Sequence, residues 1–168
     1  MGTRGLTKVI DENGILKVAQ YGQWDHYPSG QGANILDIIS KFHALENLSL
    51  GLKRVYFMTN PQHDKLVAKT DWQDSDSVDM FKAMYPTLTR DLGSDVLLSI
   101  IYGTGKVPLR NEADFEEEEL WCEGVYTINF QTNEFITKWN GKTTSYPLDN
   151  LPSKDVYLID TEHLTAAA

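Results

Sequence analysis

The densest chemistry in the chain lies in Tyr21-Gly-Gln-Trp-Asp-His-Tyr-Pro-Ser-Gly-Gln-Gly32. This stretch sets Trp24 and Tyr27 beside the carboxylate of Asp25 and places Ser29, Gly30 and Gly32 ahead of a helical pattern. The first turn of a helix exposes unpaired backbone N–H groups and a partial positive charge, so phosphates and carboxylates bind there readily. Glycines let a ligand approach the backbone, and an indole and a phenol can stack on a planar ring. Arg4, on the strand that should lie alongside, can add a bidentate clamp to the same anion. Together these groups suit a small anionic or nucleotide-like ligand. The same residues also support an architectural reading, in which Arg4 pairs with Asp25, the rings fill the core and the glycines turn the chain.

A second cluster, Tyr85-Pro-Thr-Leu-Thr-Arg-Asp-Leu-Gly-Ser-Asp95, repeats the theme. Arg90 can reach the same anion, with Asp91 either holding it or capping a helix. A third, Trp121-Cys-Glu-Gly-Val-Tyr126, carries the only cysteine, Cys122. A lone cysteine on a strand is more often a small buried hydrophobe than a nucleophile. Gly103-Thr-Gly-Lys106 lacks the spacing of a phosphate-binding loop. His26, His43, His63 and His163 are too scattered for a metal-ligand motif, so neither a metal nor a cofactor is expected.

These residues need elements to hold them. Residues 6–10 and 15–21 read as two strands joined across Asn13-Gly14, a pair suited to a two-residue type I′ turn. That hairpin would put Arg4 opposite Gln23. Residues 33–42 read as the first helix, with Ile35, Ile38, Ile39 and Phe42 on one face and Ser29 or a neighbour as its cap. Val55 to Met58 is strand-like, and a polar stretch around Asn60-Pro61 and residues 71–76 breaks the pattern. Residues 77–84 read as a helix closed by Pro86, and residues 91–102 as another, capped by Thr89 or Asp91. Residues 103–119 read as a polar loop, residues 120–130 and 134–139 as a hairpin, residues 155–159 as a last strand, and residues 166–168 as a frayed end. The expected fold is a single α+β domain over residues 1–168: an antiparallel sheet with helices packed on it, in a layered arrangement similar to N-terminal-nucleophile hydrolases.

At 168 residues, 41% of them hydrophobic, the chain can bury one proper core. No stretch approaches the roughly 20 apolar residues of a membrane span. The start lacks the apolar run of a secretory signal, and Leu6 stands where a myristoylation motif needs Ser or Thr. A single cysteine suits a reducing compartment, so a cytoplasmic location is expected, with no membrane partner. The net charge of −9 disfavours direct nucleic-acid binding. A homo-oligomer is compatible with this composition.

The motifs Gly2-Thr-Arg-Gly5, Gln23-Trp-Asp-His-Tyr-Pro28, Pro86-Thr-Leu-Thr-Arg-Asp-Leu-Gly93 and Trp121-Cys-Glu-Gly-Val-Tyr126 resemble those of a family of small bacterial, phage and fungal proteins without an established activity. The resemblance covers most of the chain and implies that these residues form a site. It also implies, for phage members, a role in the host cytoplasm. One departure is His26, where the family usually has glycine; a left-handed φ at that position would cost histidine. Three functions follow as expectations. The first is binding, as sequestration, of a phosphorylated nucleotide-like molecule, with a phage protein countering host defence signalling as its biological form. The second is an amide hydrolase in which Thr3 attacks after removal of Met1 and Gly2. The third is an acidic inhibitor of a basic protein, centred on residues 116–119.

Overall fold

The computed structural model describes residues 2–163, so the frayed end expected at residues 166–168 lies outside the described residues. Strands β1 (Gly5–Ile10) and β2 (Leu16–Gly22) pair antiparallel with Gly5 opposite Gly22, the last paired position before Arg4 and Gln23. The register is the expected one, but the turn is not. The Asp11 carboxylate accepts from the N–H groups of Asn13 and Ile15, both at 2.9 Å, and the Asp11 N–H donates to the Ile15 carbonyl. These bonds close a wider connection with Gly14 left-handed at φ 80°, and an irregularity between Val9 and Ile10 restores the pairing.

Five helices and two short strands follow in order: α1 (Ala33–Ile39), α2 (Ala44–Gly51), β3 (Val55–Phe57), α3 (Asn60–Val67), α4 (Ser75–Met84), α5 (Val96–Tyr102) and β4 (Val107–Leu109). The chain then adds β5 (Gly124–Asn129), β6 (Glu134–Trp139), β7 (Lys142–Pro147) and α6 (Lys154–Glu162). The main sheet runs β2-β1-β5-β6-β7, antiparallel except where β1 meets β5, while β3 and β4 form a small parallel pair. This is a mixed α+β fold.

One face of the main sheet carries the core. Val9, Val18 and Ile128 lie in register on it and pack with Tyr126, Phe135 and Tyr157 against Ile35, Leu36, Ile39, Leu48, Leu97 and Ile100 of the helices. The opposite face carries Leu6, Tyr21 and Val125, also in register, and is covered by a short 3-10 turn over Ala113–Glu117. Phe115 of that turn meets Tyr21 edge-on with ring centroids 4.9 Å apart, and Glu116 pairs with Lys8 at 2.8 Å.

Several expectations need correction. Residues 155–159 belong to helix α6, started by the Ser153 hydroxyl accepting from the Val156 N–H, with Tyr157 and Thr161 one turn apart and buried. The helix expected over residues 91–102 begins only at Val96, because Gly93 adopts a left-handed φ of 54° and breaks it. Neither Thr89 nor Asp91 caps that helix. The first helix ends at Ile39 and is entered through a π-helical turn over Pro28–Gly32, within which Ser29 caps nothing by its side chain. The stretch expected as a polar loop over residues 103–119 holds β4 and the turn at Ala113–Glu117.

Candidate functional site

β2 is an edge strand of the main sheet, and two segments strap its outer side. The Gln23 N–H donates to the Arg90 carbonyl at 3.3 Å, and the Glu112 N–H donates to the Ala19 carbonyl at 3.0 Å. The buried Gln20 amide donates to the Thr87 carbonyl at 3.3 Å, and the Thr87 hydroxyl ties one strap to the other through the Pro108 carbonyl at 2.7 Å. Strapping satisfies backbone groups that an open edge would leave unpaired. It also brings side chains from three distant parts of the sequence to one place.

There a cleft of about 550 Å³ opens, and Arg4, Arg90 and Arg110 all line it. The whole chain has only four arginines. The fourth, Arg54, donates to the carbonyls of Ile100 and Gly105 and closes the end of α5, an architectural task. Arg90 lies over the Tyr21 ring at 5.0 Å and donates to its hydroxyl at 3.2 Å. Arg4 lies over the Trp121 ring at 4.7 Å. Arg110 donates to the Asn60 side chain at 2.7 Å. A ring and neutral acceptors steady the guanidinia of Arg90 and Arg110. Phe115, Leu88 and His63 add apolar and aromatic wall, and Glu112, Asp114 and Glu118 face the cleft as well. Burial, followed by the nearby Arg110 charge, holds His63 below its ordinary pKa, so it is neutral at pH 7.

The structure separates the residues that the sequence grouped. Arg4 and Arg90 line the cleft. Trp24 stands outside it, half exposed, with its indole N–H donating to Asp91 at 3.1 Å. Asp91 also pairs with Lys82 at 3.7 Å. Asp25 has a left-handed φ of 58° and accepts from the Tyr27 hydroxyl at 3.1 Å. The helix entry is occupied from within. Glu162 of α6 accepts from the Ser29 N–H at 2.6 Å and from its hydroxyl at 3.2 Å, standing where an external anion was expected. Gly30 and Gly32 are close-packed: a Cβ at Gly32 would lie 2.5 Å from the Tyr157 hydroxyl, and one at Gly30 would strike the Asp25 carbonyl. The Thr3 carbonyl accepts from the His26 N–H at 3.1 Å.

His26 itself is fully buried and has no left-handed φ; the strained position is its neighbour Asp25. His26 packs over Gly5, Gly22 and Gly124, which lie side by side on β1, β2 and β5, with its ring against Gly5 and Gly22 and its backbone carbonyl against Gly124. A Cβ at Gly5 would come within 2.6 Å of the ring, and one at Gly22 would collide with it. Nδ1–H donates to the Trp24 carbonyl at 3.1 Å, and the Tyr126 hydroxyl donates to the His26 carbonyl at 2.5 Å. Burial lowers the His26 pKa to about 4, so the ring is neutral at physiological pH.

Of the acidic run, Glu116 is paired with Lys8 and Glu118 faces the arginine cleft. Cys122 is half-buried, and burial followed by the Glu116 charge pushes its thiol up to about 11, so no thiolate stands ready there. Among the described residues no group of three or more His, Cys, Asp or Glu side chains converges as a metal site, and no helix is long and apolar enough to cross a membrane. Tyr21, Arg110, Phe115, Glu112 and Asp114 were missed by sequence reasoning. The available signal was the scarcity of arginine, since a chain that otherwise uses lysine places its few guanidinia with purpose. No protein-family model, no curated protein and no solved structure matches this chain.

Proposed function

We propose that this protein binds a small phosphorylated, nucleotide-like molecule in the cleft of Arg4, Arg90 and Arg110. The observation that carries the reading is that three of the four arginines of a chain with net charge −9 line one cleft. Guanidinia stacked on aromatic rings are rigid forks, suited to bidentate contact with phosphate oxygens. Glu112, Asp114 and Glu118 make the cleft one of mixed charge. That favours a ligand presenting hydroxyl or amino donors beside its anionic group, as a sugar phosphate does.

Capture is favoured over turnover. The hydroxyls of Thr87 and Thr89 donate to the carbonyls of Pro108 and Pro86, so each is engaged with backbone and not with a general base. The resemblance to phage proteins supplies a biological form for the proposal, namely withdrawal of a host defence signal from solution. The test is thermal melting of the purified protein against inorganic phosphate and a panel of nucleotides. A ligand present at 100 times its dissociation constant stabilises by about 2.7 kcal/mol. The expected result is a rise in Tm that disappears in Arg90→Ala and Arg110→Ala but persists in Arg54→Ala. A panel in which nothing raises Tm removes the proposal.

A further inference from the structure

Beside the arginine cleft lies a second hollow of about 410 Å³, and His63, Leu88, Thr89 and Arg90 line both. Its remaining wall is of different chemistry. Val67 ends α3, Trp72 sits in the connection to α4, and Phe81 comes from α4 itself. The Trp72 and Phe81 rings meet edge-on at 5.1 Å. The Trp72 indole N–H is already spent on the Val67 carbonyl at 3.1 Å, which fixes the ring while leaving 48% of the residue exposed. The charges at this hollow are largely paired off, Lys82 with Asp91 at 3.7 Å. An immobilised, half-open indole beside a buried phenyl ring is a surface for stacking, not for ion binding.

We infer that the two hollows are lobes of one binding site, in which the anionic group of a nucleoside monophosphate sits on Arg4, Arg90 and Arg110 and its base lies against Trp72 and Phe81, with Arg90 and His63 at the waist. This rests on the reading of the arginine cleft given above and adds the chemistry of the ligand's other end. Each lobe alone falls within the size range of small-molecule sites. Neutral His63 presents one N–H and one bare ring nitrogen, so it can donate to or accept from the edge of a base.

The test is calorimetric titration with inorganic phosphate, adenosine, and the monophosphates of adenosine, guanosine, cytidine and uridine. At least one monophosphate should bind roughly ten- to a hundredfold more tightly than phosphate, the range of one base–aromatic stack. Trp72→Leu should bring that monophosphate down to the affinity of phosphate while leaving phosphate itself unchanged. Val67→Trp, which fills the aromatic lobe without removing a ring, should do the same, so the outcome does not depend on one variant folding. If phosphate binds but every monophosphate binds no more tightly, or if Trp72→Leu and Val67→Trp leave the monophosphate affinity intact, the arginine cleft stands and the second lobe does not. If none of the probes binds, both readings fall.

Discussion

Acidification offers a sharp test of the glycine slot. In the folded protein His26 is fully buried and its pKa is lowered to about 4 from an ordinary 6.5, mainly by burial. Above pH 6.5 the imidazole is neutral in both folded and unfolded chains and contributes no pH dependence. Between pH 6.5 and 4 the unfolded chain takes up a proton that the folded one refuses, so stability falls as pH falls. Below pH 4 both states are protonated and this loss stops growing. A separation of about 2.5 pH units corresponds to about 3 kcal/mol in total, of which about 2 kcal/mol appears between pH 7 and 5, with a slope of about 1.2 kcal/mol per pH unit near pH 5. That is a large share of the roughly 5–15 kcal/mol that holds a typical domain together. The assay is urea denaturation at half-unit steps from pH 7 to 5, on the wild type and on His26→Asn, whose amide can still donate to the Trp24 carbonyl but cannot titrate. His63, which shifts in the same direction, is present in both proteins and cancels in the comparison. The variant should be less stable at pH 7 yet lose about 2 kcal/mol less on the way to pH 5. Parallel losses in the two proteins would refute the account of His26 as a proton-refusing buried group.

Further outcomes are expected. Gly22→Ala should destabilise by about 3 kcal/mol in urea melts, because its methyl group would collide with the His26 ring; a loss under 1 kcal/mol would mean that the slot yields. Tyr126→Phe removes a buried donor to the His26 carbonyl and should cost about 1–3 kcal/mol without altering ligand affinity. Arg90→Ala and Arg110→Ala should each weaken phosphate binding by about tenfold or more, as loss of a charge-assisted bond of about 1.5–3 kcal/mol requires, whereas Arg54→Ala should lower stability and leave binding alone. Cys122, with its thiol pushed up to about 11, should react with iodoacetamide at pH 8 roughly a hundredfold more slowly than an ordinary exposed thiol; an equal rate would show that burial does not protect it.

What could be read from the sequence depended on how local the cause was. The first hairpin was legible because alternating β-formers flank Asn13-Gly14, and its register held even though Asp11 rearranged the turn. Helix α1 was legible from its apolar spacing. Helix α3 was not, since none of its residues is buried and it offers no apolar face; its visible signal was the capping box of Thr59 and Gln62 around Pro61. Strand β7 was missed because its side chains are largely exposed, although Asn140-Gly141 marked its hairpin with two left-handed residues. Arg4 and Arg90 could be singled out by type. Their partner Arg110 could not be placed, because only the strapping of two segments along β2, more than eighty residues apart from it in sequence at one point, assembles the cleft. The occupation of the Pro28–Gly32 turn by Glu162 is equally non-local, arriving from 133 residues away.

The row of Gly5, Gly22 and Gly124 has a mechanical consequence. Three neighbouring strands surrender their side chains at one level, and His26 is pressed into the gap like a locating pin, ring over Gly5 and Gly22 and carbonyl over Gly124. Arg4 directly precedes the first of those glycines, so the pin also sets where the first guanidinium enters the cleft. A replacement at position 26 that tilts this seat should therefore blunt ligand capture from a distance, although His26 does not itself line the cavity.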